Sequence, residues 1–499
     1  MRARSLSHRK NQKVVECFEL RGDTRAMGTN YRPYEPDQPF LFPPSPRDWM
    51  PQDHLVYFIS DTIDQLDLSA FHLRYRGDGR RNQPYHPTML AKVLIYAYAT
   101  GVFSSRRIAA KLVDDVALRL LAAGNRPDFR TINRFRQQHL DTFSKLFVEV
   151  VHLAQKMGLV KLGTVALDGT KIKGNASKHK AMSYQHMQEQ EQRLEKEIQQ
   201  LLEKAQQTDA AEDQLHGPDK SGDELPLELR HREQRLEKIR EAKQALEGEQ
   251  AAADRAKGRH PGDDRVAGGE RPQGGRSKFK QEFGEPEPTA QCNFTDPESK
   301  IMKTQQGFQQ GYNAQAVVEE GHQLIVAQQV GQNAADNVSL IEMVDQVEQN
   351  TGSKPGCLLA DAGYPSEENF LALEERKIEG IVALQRESKA VKEENDKKEE
   401  QKRKKENKKE NEKENKKDKT VARAARERMA KRLEGNRGKR QYARRKGMVE
   451  PAFGWVKEVL GFRQFSLRGL KKVQGEWSLV TLALNLRRMA RMEAVAAAA

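Results

Sequence analysis

The sequence predicts an α/β core with strands and helices in the order βββαβαβα, an all-helical region ahead of it and a long helical hairpin inserted after its first strand. Short apolar runs carry the strand reading: TVALD, CLLAD and IEGIVALQ lack polar alternation, as strands buried on both faces do. GYNAQAVVEEGHQLIVAQQVG reads as a hairpin, with strands around Asn313 to Val318 and Gln323 to Val330 turned at Glu320 and Gly321. The helical stretches DNVSLIEMVDQVEQ and SEENFLALEERK fall between the later strands and set the alternation.

The 499 residues exceed one ordinary core, so two or three domains are expected. Only 36% of the residues are hydrophobic and the mean hydropathy is −0.85, so the core must come from selected segments. A net charge of +14 favours a polyanionic partner, nucleic acid first. Cys17, Cys292 and Cys357 form no CxxC or Cys/His cluster, which argues against a disulfide scaffold or a structural zinc site and fits a reducing compartment. No apolar run is long enough to cross a bilayer, so no membrane partner and a cytoplasmic location are expected.

Residues 1–30 read as a basic leader. The proline-rich YRPYEPDQPFLFPPSPRDWM suggests an extended segment packed by Phe40, Phe42 and Trp49. It opens a region, residues 31–158, whose pattern is helical from about Asp53. Ser104 or Ser105 can cap one helix and Gly124 end it, and Asp128 can cap the next. This last pair resembles a helix-turn-helix, with Arg130, Thr131, Asn133, Arg134 and Arg136 near the start of a recognition helix. Arg and Asn pair with guanine and adenine edges or hold phosphates, so Arg130, Asn133, Arg134 and Arg136 are the DNA-binding candidates there; the alternative is an Arg-rich helical bundle.

Residues 163–182 and 300–386 carry the first parts of the core. Between them, 183–299 is the insertion: one arm with Leu194, Ile198 and Leu201 or Leu202, the other with Leu229, Leu236, Ile239 and Leu246, then a Gly/Pro-rich stretch from 253 to 292 that cannot bury a core. Residues 387–440 form a charged linker, solvated as a single helix or disordered. Residues 441–490 complete the core, with Trp477, Leu479, Leu482 and Leu486 inside.

Without its insertion this order is the RNase H-like layout, in which the first and fourth strands lie side by side and the last helix packs on their edge. Asp168 ends TVALD, Asp361 ends LLAD and Glu450 lies on that helix, so three acids from distant sequence meet at one place. Carboxylate oxygens are the hard ligands Mg²⁺ or Mn²⁺ prefers, and two such ions suit phosphodiester displacement. On a helix, Lys446, Glu450 and Lys457 fall within about 40° of one another. Lys446, Lys457 and Arg445 would then hold DNA phosphates beside the metals. Asp336 opens DNVSLIEMV and reads as its N-cap, and Glu476 is the other acid weighed as a substitute.

The segments YRPYEPDQPF, YHPTMLAKVLIYAYATGVFSSRRIA, PDFRTINRFRQQHL, LGTVALDGTKIKGNASKHKAMSY, GYNAQAVV, LLADAGY, and VEPAFGWVK through RGLKKVQGEWSLVTLALNL resemble a DDE transposase of bacterial insertion sequences with a Tyr-Arg-Glu-Lys type signature. The resemblance covers roughly Tyr31 to Met489 outside the low-complexity inserts. It implies that Asp168, Asp361 and Glu450 are the catalytic triad, that the helical region recognises terminal inverted repeats, and that a homodimer synapses two ends in the nucleoid. The signature runs Tyr-x2-Arg-x3-Glu-x6-Lys; Lys457 fits it, Lys446 stands at the Arg position and Tyr442 lies one residue upstream of its place. The alternative function is an inactive DNA-binding protein that occupies the repeats.

Overall fold

The computed structural model describes residues 45–498, except 74, 76–83, 217–226, 262–280, 305–306 and 385–412. Phe40, Phe42 and the basic leader lie outside the described residues. Residues 45–49 belong to a separate unit of the chain, where Trp49 ends a short 3-10 turn and is half exposed rather than packed.

The larger unit begins with helices α1 (Leu55–Asp64), α2 (Ser69–His72), α3 (Pro87–Ala99), α4 (Ser105–Asp114), α5 (Val116–Leu121), α6 (Phe129–Gln138) and α7 (Leu140–Lys156). The sequence suggested one helix where α4 and α5 stand. Asp115 divides them, because its backbone is extended and its carboxylate accepts from Leu118 N. Gly124 adopts φ 75°, the left-handed conformation expected after a helix end.

The core follows as β1 (Thr164–Lys173), β2 (Ala181–Ser183), α8 (Tyr184–His216), α9 (Leu227–Ala256), β3 (Gln291–Asn293), β4 (Lys300–Thr304), β5 (Gly307–Glu319), β6 (Ile325–Gly331), α10 (Leu340–Thr351), β7 (Cys357–Ala360), α11 (Glu367–Glu375) and β8 (Glu379–Val382). The C-terminal part is α12 (Lys413–Glu434), α13 (Asn436–Gly454) and α14 (Leu470–Ala498). In the sheet β5, β1, β7 and β8 lie in that order; β1, β7 and β8 run parallel and β5 antiparallel to β1. The long β5 pairs β4 along its first half and β6 along its second. This mixed sheet is compatible with an RNase H-like core.

β1 differs from its expected form. The sequence suggested that the strand ends at Asp168, whereas it runs on to Lys173, paired to β5 as far as Gly311. Its pairing with β7 does stop at Leu167, opposite Ala360. Beyond that point its open edge is met by residues 463–465: Lys173 N donates to Arg463 O, and Phe465 N to Lys173 O.

The insertion starts from a two-stranded ribbon of β2 and β3 and has its own small core, where Tyr184, Met187 and Leu194 meet Leu236, Ile239, Leu246 and Cys292. The stretch from 253 to 292 is more structured at its ends than its composition suggests. α9 reaches Ala256, Asp254 and Arg259 form a buried ion pair at 3.1 Å, and Arg259 Nη2 donates to Gln281 O. The charged stretch differs likewise in its second half. α12 lies against β8 and α11, with Ala425 and Met429 buried and Arg428 paired to Glu374 at 2.6 Å.

α14 is the central element. Trp477, Leu479, Leu482 and Leu486 are fully buried, and it packs on α7, α3 and α1 on one side and β6 on the other. A helix covered on every side needs no polar stripe, which is why SLVTLALNL carries no charge. One hydrophobic core therefore runs from Val56 to Met489 through helices and sheet. At Gly475 an added Cβ would stand 2.5 Å from Leu140 Cβ on α7. Gly475→Ala is thus expected to cost about 1–3 kcal/mol by overpacking, read as a lower melting temperature.

Candidate active site and nucleic-acid interface

The register Leu167 opposite Ala360 makes Asp168 and Asp361 the next residues on two adjacent parallel strands. Each carboxylate is fixed locally: Asp168 Oδ1 accepts from Gly169 N at 2.8 Å, and Asp361 Oδ1 from Gly363 N at 2.8 Å. Burial raises the Asp168 pKa above the usual carboxylate value, with Asp361 adding to the rise and the Arg445 guanidinium opposing it. Arg445, expected to hold DNA, instead turns inward from α13 and donates to Asp168 Oδ2 at 3.0 Å. Its own pKa is raised: burial opposes the charge, and Asp168 more than restores it.

Glu450 is on the same helix, which packs against β1, β5, β7 and β8, but its side chain is exposed and makes no hydrogen bond or ion pair with the two aspartates. Lys446 is exposed as well. Lys457 parts from them, because the helix widens into a π turn at Trp455–Val459. Its Nζ donates to Lys171 O at 3.3 Å on the open edge of β1. Burial lowers its pKa below the usual lysine value. Pro451 lacks the N–H that would bond Gly447 O, and Gln323 Nε2 supplies a donor there at 2.9 Å.

Asp336 departs from its reading as an N-cap. Its side chain makes no capping bond and is drawn to the sheet, where Oδ1 accepts from Lys171 Nζ at 2.9 Å, Asn313 Nδ2 at 2.6 Å and Gln315 Nε2 at 2.8 Å. It stands beside Asp361: a Cβ on Gly363 would lie 3.0 Å from Asp361 Oδ1 and 3.1 Å from Asp336 Oδ2. A Cβ on Gly169 would meet Gln315 Nε2 and Asp336 Oδ1 even more closely, so a side chain there would press on the hydrogen bond between them. The signal that could have found Asp336 is the polar alternation Asn313, Gln315 on one face of an otherwise apolar strand.

Glu476, the other acid considered, is not at this edge. It is fully buried, accepts from Ser466 N at 2.9 Å, Leu467 N at 3.0 Å and Tyr98 OH at 3.2 Å, and faces Arg136 at 3.8 Å. Arg136 is thereby committed inside the fold, donating to Tyr98 OH, Phe103 O and Asn133 Oδ1. Its guanidinium thus points into the fold, although Arg136 also lines the groove formed by its neighbours on α6.

Arg130, Asn133 and Arg134 do share a surface. They line an open groove of about 810 Å³ whose other walls come from the start of α4, from Asn175 after β1 and from Ser466 before α14. Asp128 caps α6 by accepting from Arg130 N at 2.6 Å and Thr131 N at 2.8 Å, which fixes the turn that presents these side chains.

A divalent ion fits Asp168 and Asp361 by donor chemistry, since both are hard oxygen donors side by side and Asp168 already holds a cationic group on Oδ2. Among the described residues no three His, Cys, Asp or Glu side chains converge to hold a metal ion. No helix among them is long and apolar enough to cross a membrane.

Residues 290–486 match the family model described as Transposase DDE domain, and residues 44–138 match the one described as Transposase domain (DUF772). The first match contains Asp361 and Glu450 and stops short of Asp168; the second contains the α6 residues of the groove. No curated protein and no solved structure matches the chain. Two separate stretches of the chain are thus similar to transposase domains, the longer of them to a DDE domain.

Proposed function

We propose that the protein cuts DNA at the ends of a bacterial insertion sequence and joins the freed ends to target DNA. The observation that carries this reading is the strand register that sets Asp168 beside Asp361, under a helix that bears Arg445, Lys446, Glu450 and Lys457. In this reading Asp168 and Asp361 would hold two Mg²⁺ or Mn²⁺ ions, and Glu450, which does not reach them in the structure, would have to swing in from α13 as the third ligand. Bound there, such ions supply the charge that activates an attacking oxygen and steadies the leaving one. Arg445 neutralises Asp168 until the site is loaded. Lys446 and Lys457 hold the backbone on either side of the scissile phosphate. Arg130, Asn133 and Arg134 read or grip terminal-repeat DNA in the groove, in a homodimer that brings two ends together. Cytoplasmic, nucleoid-associated action follows from that substrate.

The test is cleavage and strand transfer on duplexes carrying the element's ends. Products are expected with Mg²⁺ or Mn²⁺ and none with EDTA. DNA binding without any product in either metal would instead identify an inactive protein that occupies the repeats.

A further inference from the structure

The groove beside α6 contains a feature that neither the candidate active site nor the arginines of α6 account for. α4 begins on it, and Ser104 at the N-cap has the extended backbone of a capping residue, φ −80° and ψ 124°, yet makes no side-chain capping bond. The first-turn N–H groups of Ser105, Arg106 and Arg107 therefore receive no acceptor from it, and they sit at the positive end of a ten-residue helix. A second, independent feature points the same way. Ser105 lines the groove, is 8% exposed, and its Oγ has no hydrogen-bond partner. Buried hydroxyls are normally satisfied, so an unmet one beside unmet N–H groups marks a place shaped for an acceptor. The charge around it agrees: Arg106, Arg130, Arg134 and the inward-turned Arg136 line the same groove, and no Asp or Glu does. Arg106 and Arg130 flank the Phe129 ring, at 5.1 Å and 5.7 Å from its centroid, which holds both guanidinium groups at the groove.

We infer that the start of α4 is a phosphate-binding site, in which Ser105 Oγ, the first-turn N–H groups and Arg106 take one backbone phosphate of the DNA lying in the groove. The inference deepens the proposed DNA-binding function and rests on it. It gives the groove an anchor that reads no sequence and fixes the register in which Arg130, Asn133 and Arg134 meet the bases.

The full-length protein tests this with Ser104→Asp, Ser104→Asn and Arg106→Ala. Ser104 and Arg106 are both exposed, so the fold tolerates the changes. An aspartate at the N-cap accepts from the free N–H groups and places a negative charge where the phosphate would sit. Its melting temperature is expected to hold or rise. Its affinity for a short end duplex should fall roughly tenfold, with the slope of log affinity against log salt shallower by about one. Asn, capping without charge, should lose less affinity than Asp, and Arg106→Ala should weaken binding and flatten the slope. Inorganic phosphate, compared with chloride at equal ionic strength, should protect the wild type against melting and not Ser104→Asp. Wild-type DNA binding with unchanged affinity and slope in both Ser104→Asp and Arg106→Ala overturns this site alone. Phosphate protection without any effect of Ser104→Asp on DNA overturns it too, by showing a free-phosphate site only. A wild type that binds no DNA fails the broader function instead.

Discussion

Asp361→Asn is expected to lower cleavage and strand transfer by about 10³-fold or more, a loss of ~4 kcal/mol in transition-state stabilisation, while leaving the protein folded. The substitution keeps shape and keeps an oxygen to accept from Gly363 N, the one hydrogen bond the side chain makes among the described residues. What it removes is the negative charge beside Asp168. A melting temperature close to wild type with products gone would support the assignment. Wild-type rates in Asp361→Asn would remove Asp361 from the site, and with it the pairing on which the proposed chemistry stands.

Glu476→Ala should show the reverse pattern, a large loss of stability whose effect on activity follows unfolding. Glu476 receives Ser466 N, Leu467 N and Tyr98 OH and faces the buried Arg136. Removing one member of such a buried set strands the others, at a cost of about 3–5 kcal/mol. Thermal unfolding followed by circular dichroism should shift down by about 3–5 °C for a body of this size. Glu476→Gln should fall between, since its amide oxygen still accepts but leaves Arg136 without a counter-charge. Normal stability in Glu476→Ala with activity lost would reverse the conclusion and return Glu476 to the list of reacting acids.

These two acids show what was legible in the sequence. TVALD and LLAD announce buried strands by their unbroken apolar runs, and an acid after such a run must sit where the strand leaves its cover, as Asp361 does. The hairpin, α10, α11, β8 and the buried residues of α14 follow their periodicities in the same way. Side-chain partners hundreds of positions away were not legible. Nothing local announces that Arg445 will bond Asp168, 277 residues earlier, or that Asp336 will turn from its helix to Lys171. A partial signal did exist. Arg136 stands four residues after Ile132, and Arg445 four before Val449, so both lie on the buried faces of their helices. Lys446 and Glu450 share the adjacent, exposed face, and a heptad-style comparison of charges alone does not separate the two faces. The π turn after Pro451 then rotates Lys457 away from them, a change no ideal helical wheel contains. β2, β3 and β4 escaped notice because three to five residues are too few to show alternation.

The position of α14 constrains how the molecule comes into being. Helix α14 follows in sequence every element it packs on, so during synthesis α1, α3, α7 and β6 wait with their apolar faces uncovered until translation has passed Met489. Copies interrupted by a frameshift before that point would lack the keystone of both halves at once, and would be left to aggregation and proteolysis rather than persisting as partly working fragments.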